Sequence, residues 1–269
     1  MTVIGINNLS NNIVISSFND TKILTKPKPK ESKLDNFLNF FDRFTLGTKF
    51  KEVSKVNFSF LDDNKTINKN TKVLIIGDSQ TVGSYGANLD KLVRGTNAKV
   101  VTYASWGSSP EWWFSGKSAT AGFWSKGIDG KEFRTKEHQT PNIEKILSKE
   151  KPDIVIVTMG GNMMKNATQA SVSKQVDKLG NAITNSGAKL FWAGPPKYDP
   201  KKRTPEELKT FYGFLAKAVS SHGTFIDSRK FINEYHGQDG LHYSGRKGKK
   251  ETEKWAKGVF KEIQSANRK

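Results

Sequence analysis

The chain has no cysteine among its 269 residues. That excludes a disulfide framework and any thiolate metal site, though it does not fix the compartment. No run approaches the roughly 18 consecutive apolar residues that a membrane-crossing helix needs, so no membrane span is expected. The opening stretch, Met1-Thr-Val-Ile-Gly-Ile-Asn-Asn, has neither a basic start nor a long apolar segment, and no secretory signal is read from it. Acidic residues are scarce beside basic ones: 26 Asp and Glu against 44 Lys and Arg leave a formal net charge of +18. Such a surplus favours polyanionic surroundings, whether nucleic acid, acidic wall polymers or lipopolysaccharide. Phosphate-loop signatures are missing as well. Gly77-Asp-Ser-Gln-Thr-Val-Gly83 matches neither Gly-x-Gly-x-x-Gly nor the Gly-Lys-Ser/Thr ending of a nucleotide loop. Nucleic acid is therefore not the expected partner. No metal-ligand cluster is visible, and neither a metal nor another cofactor is expected.

What is present divides into two parts. Residues 1–70 read as an N-terminal arm. Its first 31 residues are polar and end in Lys26-Pro-Lys-Pro-Lys30, an extended linker. Leu34, Phe37, Leu38, Phe41 and Phe44 then recur at helical spacing until Gly47, a Phe-rich stripe that needs a surface in its own chain or in a neighbouring subunit or assembly. Residues 71–269 alternate. Apolar β runs at 72–76, 99–103, 153–158, 189–193 and 224–227 are separated by helical patterns at 81–94, 142–149, 170–186, 205–221 and 245–265. Apolar strands interleaved with amphipathic helices predict a five-stranded parallel sheet in a three-layer α/β/α sandwich, flavodoxin-like in kind. In such sheets ligands sit at the carboxyl ends of the strands.

Four blocks fall at those ends or near the last helix. The first β run stops at Gly77-Asp-Ser79. Ser105-Trp106-Gly107 follows the second run and Gly160-Gly161-Asn162 the third. Asp239-Gly-Leu-His242 precedes the last helix. A serine is a poor nucleophile without a neighbouring base, and a carboxylate three residues before a histidine can orient the imidazole from the same loop. Each piece also has a plainer reading. Ser79 could cap a helix, Gly107 could make a tight turn, and Gly160-Gly-Asn162 and Asp239-Gly240 could be turns. Of the other histidines, His138, His222 and His236, none has an aspartate three residues upstream.

The four blocks in this order resemble the SGNH (GDSL-like) hydrolase family over roughly residues 71 to 265. The resemblance implies Ser79 as nucleophile, His242 as general base and Asp239 as its orienting carboxylate. It also implies an oxyanion hole made by the Ser79 N–H, the Gly107 N–H and the Asn162 side chain. One departure stands out: the family's asparagine is commonly followed by aspartate, and here Met163 follows.

Residues 107–142 form a long connection without clear periodicity, and such connections usually serve function. Four of the six tryptophans, Trp106, Trp112, Trp113 and Trp124, lie in or beside it. They suit either a sugar-binding platform or a small local core. Trp192 and Trp255 read as core. The expectation is a serine esterase acting on an O-acyl group, O-acetyl on a bacterial envelope glycan, with an acidic cell-surface polymer as partner. A phage virion or tail component, made in the cytoplasm and brought to its substrate by the particle or by lysis, is the expected setting. The competing expectation is a catalytically silent scaffold of the same fold, kept as a structural or adhesin module.

Overall fold

The computed structural model describes the backbone of residues 5–9, 12–17 and 20–25, and then residues 66–266 throughout. The chain divides into two compact units, 1–57 and 58–269. In the first, β1 (Gly5–Leu9), β2 (Asn12–Ser17) and β3 (Asp20–Thr25) form an antiparallel meander. Ile6 pairs with Ile15, and Val14 with Ile23. A segment read as a polar tail thus holds three short strands. Its β-branched residues are interrupted by too many Asn and Ser for the alternation to stand out. The Phe-rich stripe at 34–44 lies outside the described residues.

The second unit is built on a seven-stranded sheet in the order β12-β11-β10-β4-β5-β7-β8. Its five parallel strands are β4 (Lys72–Gly77), β5 (Lys99–Ser105), β10 (Ile154–Thr158), β11 (Lys189–Ala193) and β12 (Gly223–Ile226). These match the five expected runs to within two residues. β4 and β10 are apolar almost end to end because both faces are covered. Alternate side chains serve opposite layers. Leu74, Ile76, Val155, Val157 and Trp192 pack on one face beneath α4 (Ile143–Glu150), α5 (Gln169–Asn185) and α6 (Pro205–Val219). Val73, Ile75, Ile154, Ile156 and Phe191 pack on the other with α2 (Ser84–Arg94) and α7 (Gly245–Ser265). Trp192 and Trp255 are fully buried, one on each face.

The sheet has two strands more than expected. β7 (Phe123–Lys126) adds antiparallel to β5, and β8 (Glu132–Thr135) pairs with β7. β6 (Ser118–Ala119) and β9 (His138–Gln139) form a separate two-stranded ladder. The long connection is thus a hairpin that extends the sheet edge. Four-residue strands carrying Lys126, Glu132 and Arg134 show no apolar alternation. Long-range charge pairing fixes the hairpin instead: Lys126 reaches both buried Asp90 of α2 (3.2 Å) and Glu132 (3.0 Å). No helix among the described residues is long and apolar enough to cross a membrane.

Candidate active site

β4 runs into Gly77, where a side chain would meet Thr81 Oγ1 at 2.0 Å and the Thr158 carbonyl at 2.9 Å. Only glycine allows the chain to turn there. Asp78 then caps the short helix α1 (Ser79–Val82) by accepting the Gln80 N–H at 3.0 Å. The cap is therefore Asp78, which leaves the Ser79 hydroxyl free for another partner. Asp78 is buried and also accepts the Gly160 N–H. Burial pushes its pKa up to about 7, against the pull of those N–H donors.

The partner of Ser79 is His242, whose Nε2 lies 2.8 Å from Ser79 Oγ. His242 Nδ1 is 2.5 Å from Asp239 Oδ2. The other carboxylate oxygen of Asp239 accepts the N–H groups of Leu241 (2.9 Å) and His242 (2.7 Å). Burial opposes ionisation of Asp239. The hydrogen bonds from the His242 ring and from these two N–H groups outweigh it and hold the carboxyl well below its usual range. Asp239 is thus ionised wherever the protein is folded and active, and it fixes Nδ1 of His242 as the donor to itself. Nε2 then faces Ser79 as an acceptor.

Two residues that sequence reading missed hold this turn. Tyr235 accepts the Gly240 N–H at 2.8 Å. Its own hydroxyl hydrogen is shared between the His242 carbonyl (3.1 Å) and Asp239 Oδ1 (3.3 Å). Gln80 donates its side-chain N–H to the Leu241 carbonyl at 2.9 Å, tying the turn to the residue after Ser79. Neither residue carries a motif signal, because their partners lie at the far side of a turn or 161 positions away.

Gly107 follows β5 with φ +80°, a conformation that favours glycine, and the Trp112 ring lies 3.4 Å from where a side chain would start. Asn162 follows β10 in a 3-10 turn, Gly161–Met163. Its Nδ2 donates to the Ser108 carbonyl at 3.0 Å, joining the loops after β5 and β10. Met163, in the place of the family's aspartate, is buried with Met159 and Met164 in the core. Apolar packing and the Asp78–Gly160 hydrogen bond hold the loop instead. Among the described residues the Ser79 and Gly107 N–H groups have no hydrogen-bond acceptor.

The four tryptophans part company. Trp106 is half-buried and lies against the His242 ring, with centroids 4.4 Å apart and planes at 33°. Trp112 is half-buried, backs Gly107 and carries Lys117 Nζ 4.7 Å from its ring centre. Trp113 (0% exposed) and Trp124 (1%) are core, which corrects their reading as platform residues. Trp124 belongs to β7, its outer face covered by the Arg134 guanidinium at 4.5 Å. Trp113, on α3 (Trp112–Ser115), sits among Leu74, Ile143 and Leu147 in one apolar layer. The other histidines are engaged elsewhere. His222 pairs with Asp177 (2.8 Å), His236 with Glu234 (3.2 Å), and His138 stacks on Phe123.

A strand-end serine, an imidazole and a carboxylate in line at the switch point of a parallel sheet define a hydrolase-type site. The model of the GDSL-like Lipase/Acylhydrolase family matches residues 73–252, well over half of the chain, and the protein belongs to that family. Among solved structures it is similar to a DUF4886 family protein from Bacteroides uniformis. The identity is 19% and the TM-score 0.51, over 73% of this chain and 85% of that one. It is also similar to a candidate SGNH hydrolase from Slackia heliotrinireducens, at 17% identity and TM-score 0.51, over 70% and 98%. At such identities the likeness is one of fold. No curated protein sequence matches the chain.

Proposed function

We propose that this protein is a serine esterase that removes an acyl group, acetyl in our reading, from a hydroxyl of a bacterial envelope glycan. The observation that carries the proposal is the in-line set Asp239–His242–Ser79, with 2.8 Å between Nε2 and Oγ. Ser79 Oγ attacks the ester carbonyl as its proton passes to His242 Nε2. The carbonyl electrons move onto oxygen, where the Ser79 and Gly107 N–H groups and the Asn162 amide receive them. Collapse breaks the bond to the sugar oxygen, which takes the proton from Nε2. Water then attacks the acyl-enzyme by the same route and releases the carboxylic acid and free Ser79. Asp239 stays ionised and offsets the charge on the imidazolium.

The glycan assignment rests on Trp106 and Trp112, which flank Gly107 and stay partly open to solvent, as flat faces for a sugar ring. The test is labelling by a fluorophosphonate followed by peptide mapping, with acetate release from acetylated glycans measured in parallel. The label is expected on Ser79, and Ser79→Ala is expected to lose label and lower kcat by about 10⁴-fold or more with an unchanged fold. A label on another residue, or acetate release by the alanine variant at the parent rate, would refute the assignment.

A further inference from the structure

The surface beside the catalytic turn differs in charge from the hairpin at the sheet edge. The hairpin segment 126–137 carries four basic and three acidic residues, and Lys126, Lys131 and Arg134 are all in ion pairs. Segments 197–203 and 244–250 carry eight basic residues and one acid, Asp199. Among the described residues Lys201, Lys202, Arg203, Arg246, Lys247, Lys249 and Lys250 form no ion pair. All but the half-buried Arg203 are exposed.

Tertiary structure brings both segments to the turn that bears His242. Asp199 donates its N–H to the Gly240 carbonyl at 3.0 Å, and the Lys202 stem lies over Gly240. The second segment begins two residues after His242. A hollow of about 380 Å³ opens beside the turn, lined by Asp199, residues 235–238, Ser244 and Gly245, with the basic side chains outside its wall. Asp199 is occupied internally, accepting the Lys201 N–H at 2.9 Å.

The helix that opens in this second segment is also built against its own dipole. α6 begins conventionally: Thr204 and Glu207 form a capping box, and Glu206 and Glu207 occupy the first turn. α7 has no acid in its first turn and no side-chain cap from Ser244, yet places Arg246 and Lys247 at its positive end. α2 likewise lacks a first-turn acid and a side-chain cap, but only at α7 do two cations, Arg246 and Lys247, add to that end's positive charge.

We infer that the two cationic segments bind the anionic backbone of a glycan, so that the ester hydrolysed at Ser79 is borne by a polyanionic polysaccharide. This rests on the esterase reading above and narrows its substrate. The wild type is expected to hydrolyse O-acetylated polygalacturonate with a kcat/KM about tenfold or more above that for O-acetylated dextran at about 50 mM salt. That preference should collapse by about 500 mM. In Arg246→Glu/Lys247→Glu, which places acids at a helix N-terminus, the melting temperature should hold or rise while the preference falls to near unity. An acetylated teichoic acid run alongside separates phosphate from carboxylate as the preferred anion. A wild type that cleaves p-nitrophenyl acetate but shows no acidic-over-neutral preference overturns this inference alone. Duplex DNA binding without that preference likewise overturns it, making the surface a nucleic-acid patch. A wild type inactive on every ester overturns the esterase reading, and this inference with it.

Discussion

Ser79 and His242 are held by opposite means. Ser79 and Asn162 follow adjacent central strands, β4 and β10, and are locked from below by a buried carboxylate, Asp78, that accepts N–H groups from both loops. Asp239 and His242 sit on a turn at the surface, their side chains 53% and 24% exposed. That turn is held by the Tyr235 hydroxyl, the Gln80 amide, the Asp199 N–H on the Gly240 carbonyl and a backbone bridge between Gly237 and Tyr243. The first half is specified by the sheet and its buried carboxylate, so damage to Asp78 should register in stability as well as rate. The second is specified by a few hydrogen bonds, so damage there should register in rate with little change in folding.

The sharpest test of the Ser79 half is Asn162→Ala. Its amide hangs at the surface from the Ser108 carbonyl, so the fold should survive while kcat drops about 10²–10³-fold on a small ester. Unchanged turnover would make Asn162 a turn residue only. Next in size is the buried carboxylate. Asp78 has its folded pKa raised from 3.8 to about 7. A raised carboxyl contributes stability that is fully present below pH about 4 and is lost as pH climbs through about 7, at most about 4 kcal/mol for a shift of this size. Asp239, Asp227 and Glu251 are shifted downward and act in the opposite sense only in the acid range. Denaturant melts at pH 5 and pH 8 should therefore show the parent less stable at pH 8, and Asp78→Asn should flatten that difference. A parent equally stable at both values would contradict the buried-acid account.

The smallest expected effect belongs to the base half. Tyr235→Phe keeps the ring against Tyr243 but removes every hydrogen bond of the hydroxyl. A looser Asp239–His242 turn should lower kcat and the fluorophosphonate labelling rate about five- to tenfold, with KM and melting temperature nearly unchanged. Loss of rate in step with loss of stability would show that both halves are held by the fold alike, and would erase the contrast.

Much of this was legible in the residue order. Five apolar runs at regular spacing dictate a parallel sheet because strands covered on both faces must be apolar throughout. The blocks at Ser79, Gly107 and Asn162 fall where such strands end, and Asp239 and His242 are close enough along the chain to meet without help from the fold. Sequence could not decide matters that depend on contacts between distant segments. β7 is held where Lys126 pairs with Asp90, a buried residue of α2 36 positions earlier, and where Phe123 and Trp124 enter the core. Trp113 and Trp124 look like Trp106 and Trp112 on paper, and only packing separates core rings from those left partly open. Tyr235 and Gln80 acquire their roles from geometry alone, and Met163 from the apolar layer it fills. Local periodicity is written residue by residue, whereas burial and convergence are properties of the folded whole. Residues 197–203 and 244–250 were two separate runs of charge until the fold brought both to the Asp239–His242 turn.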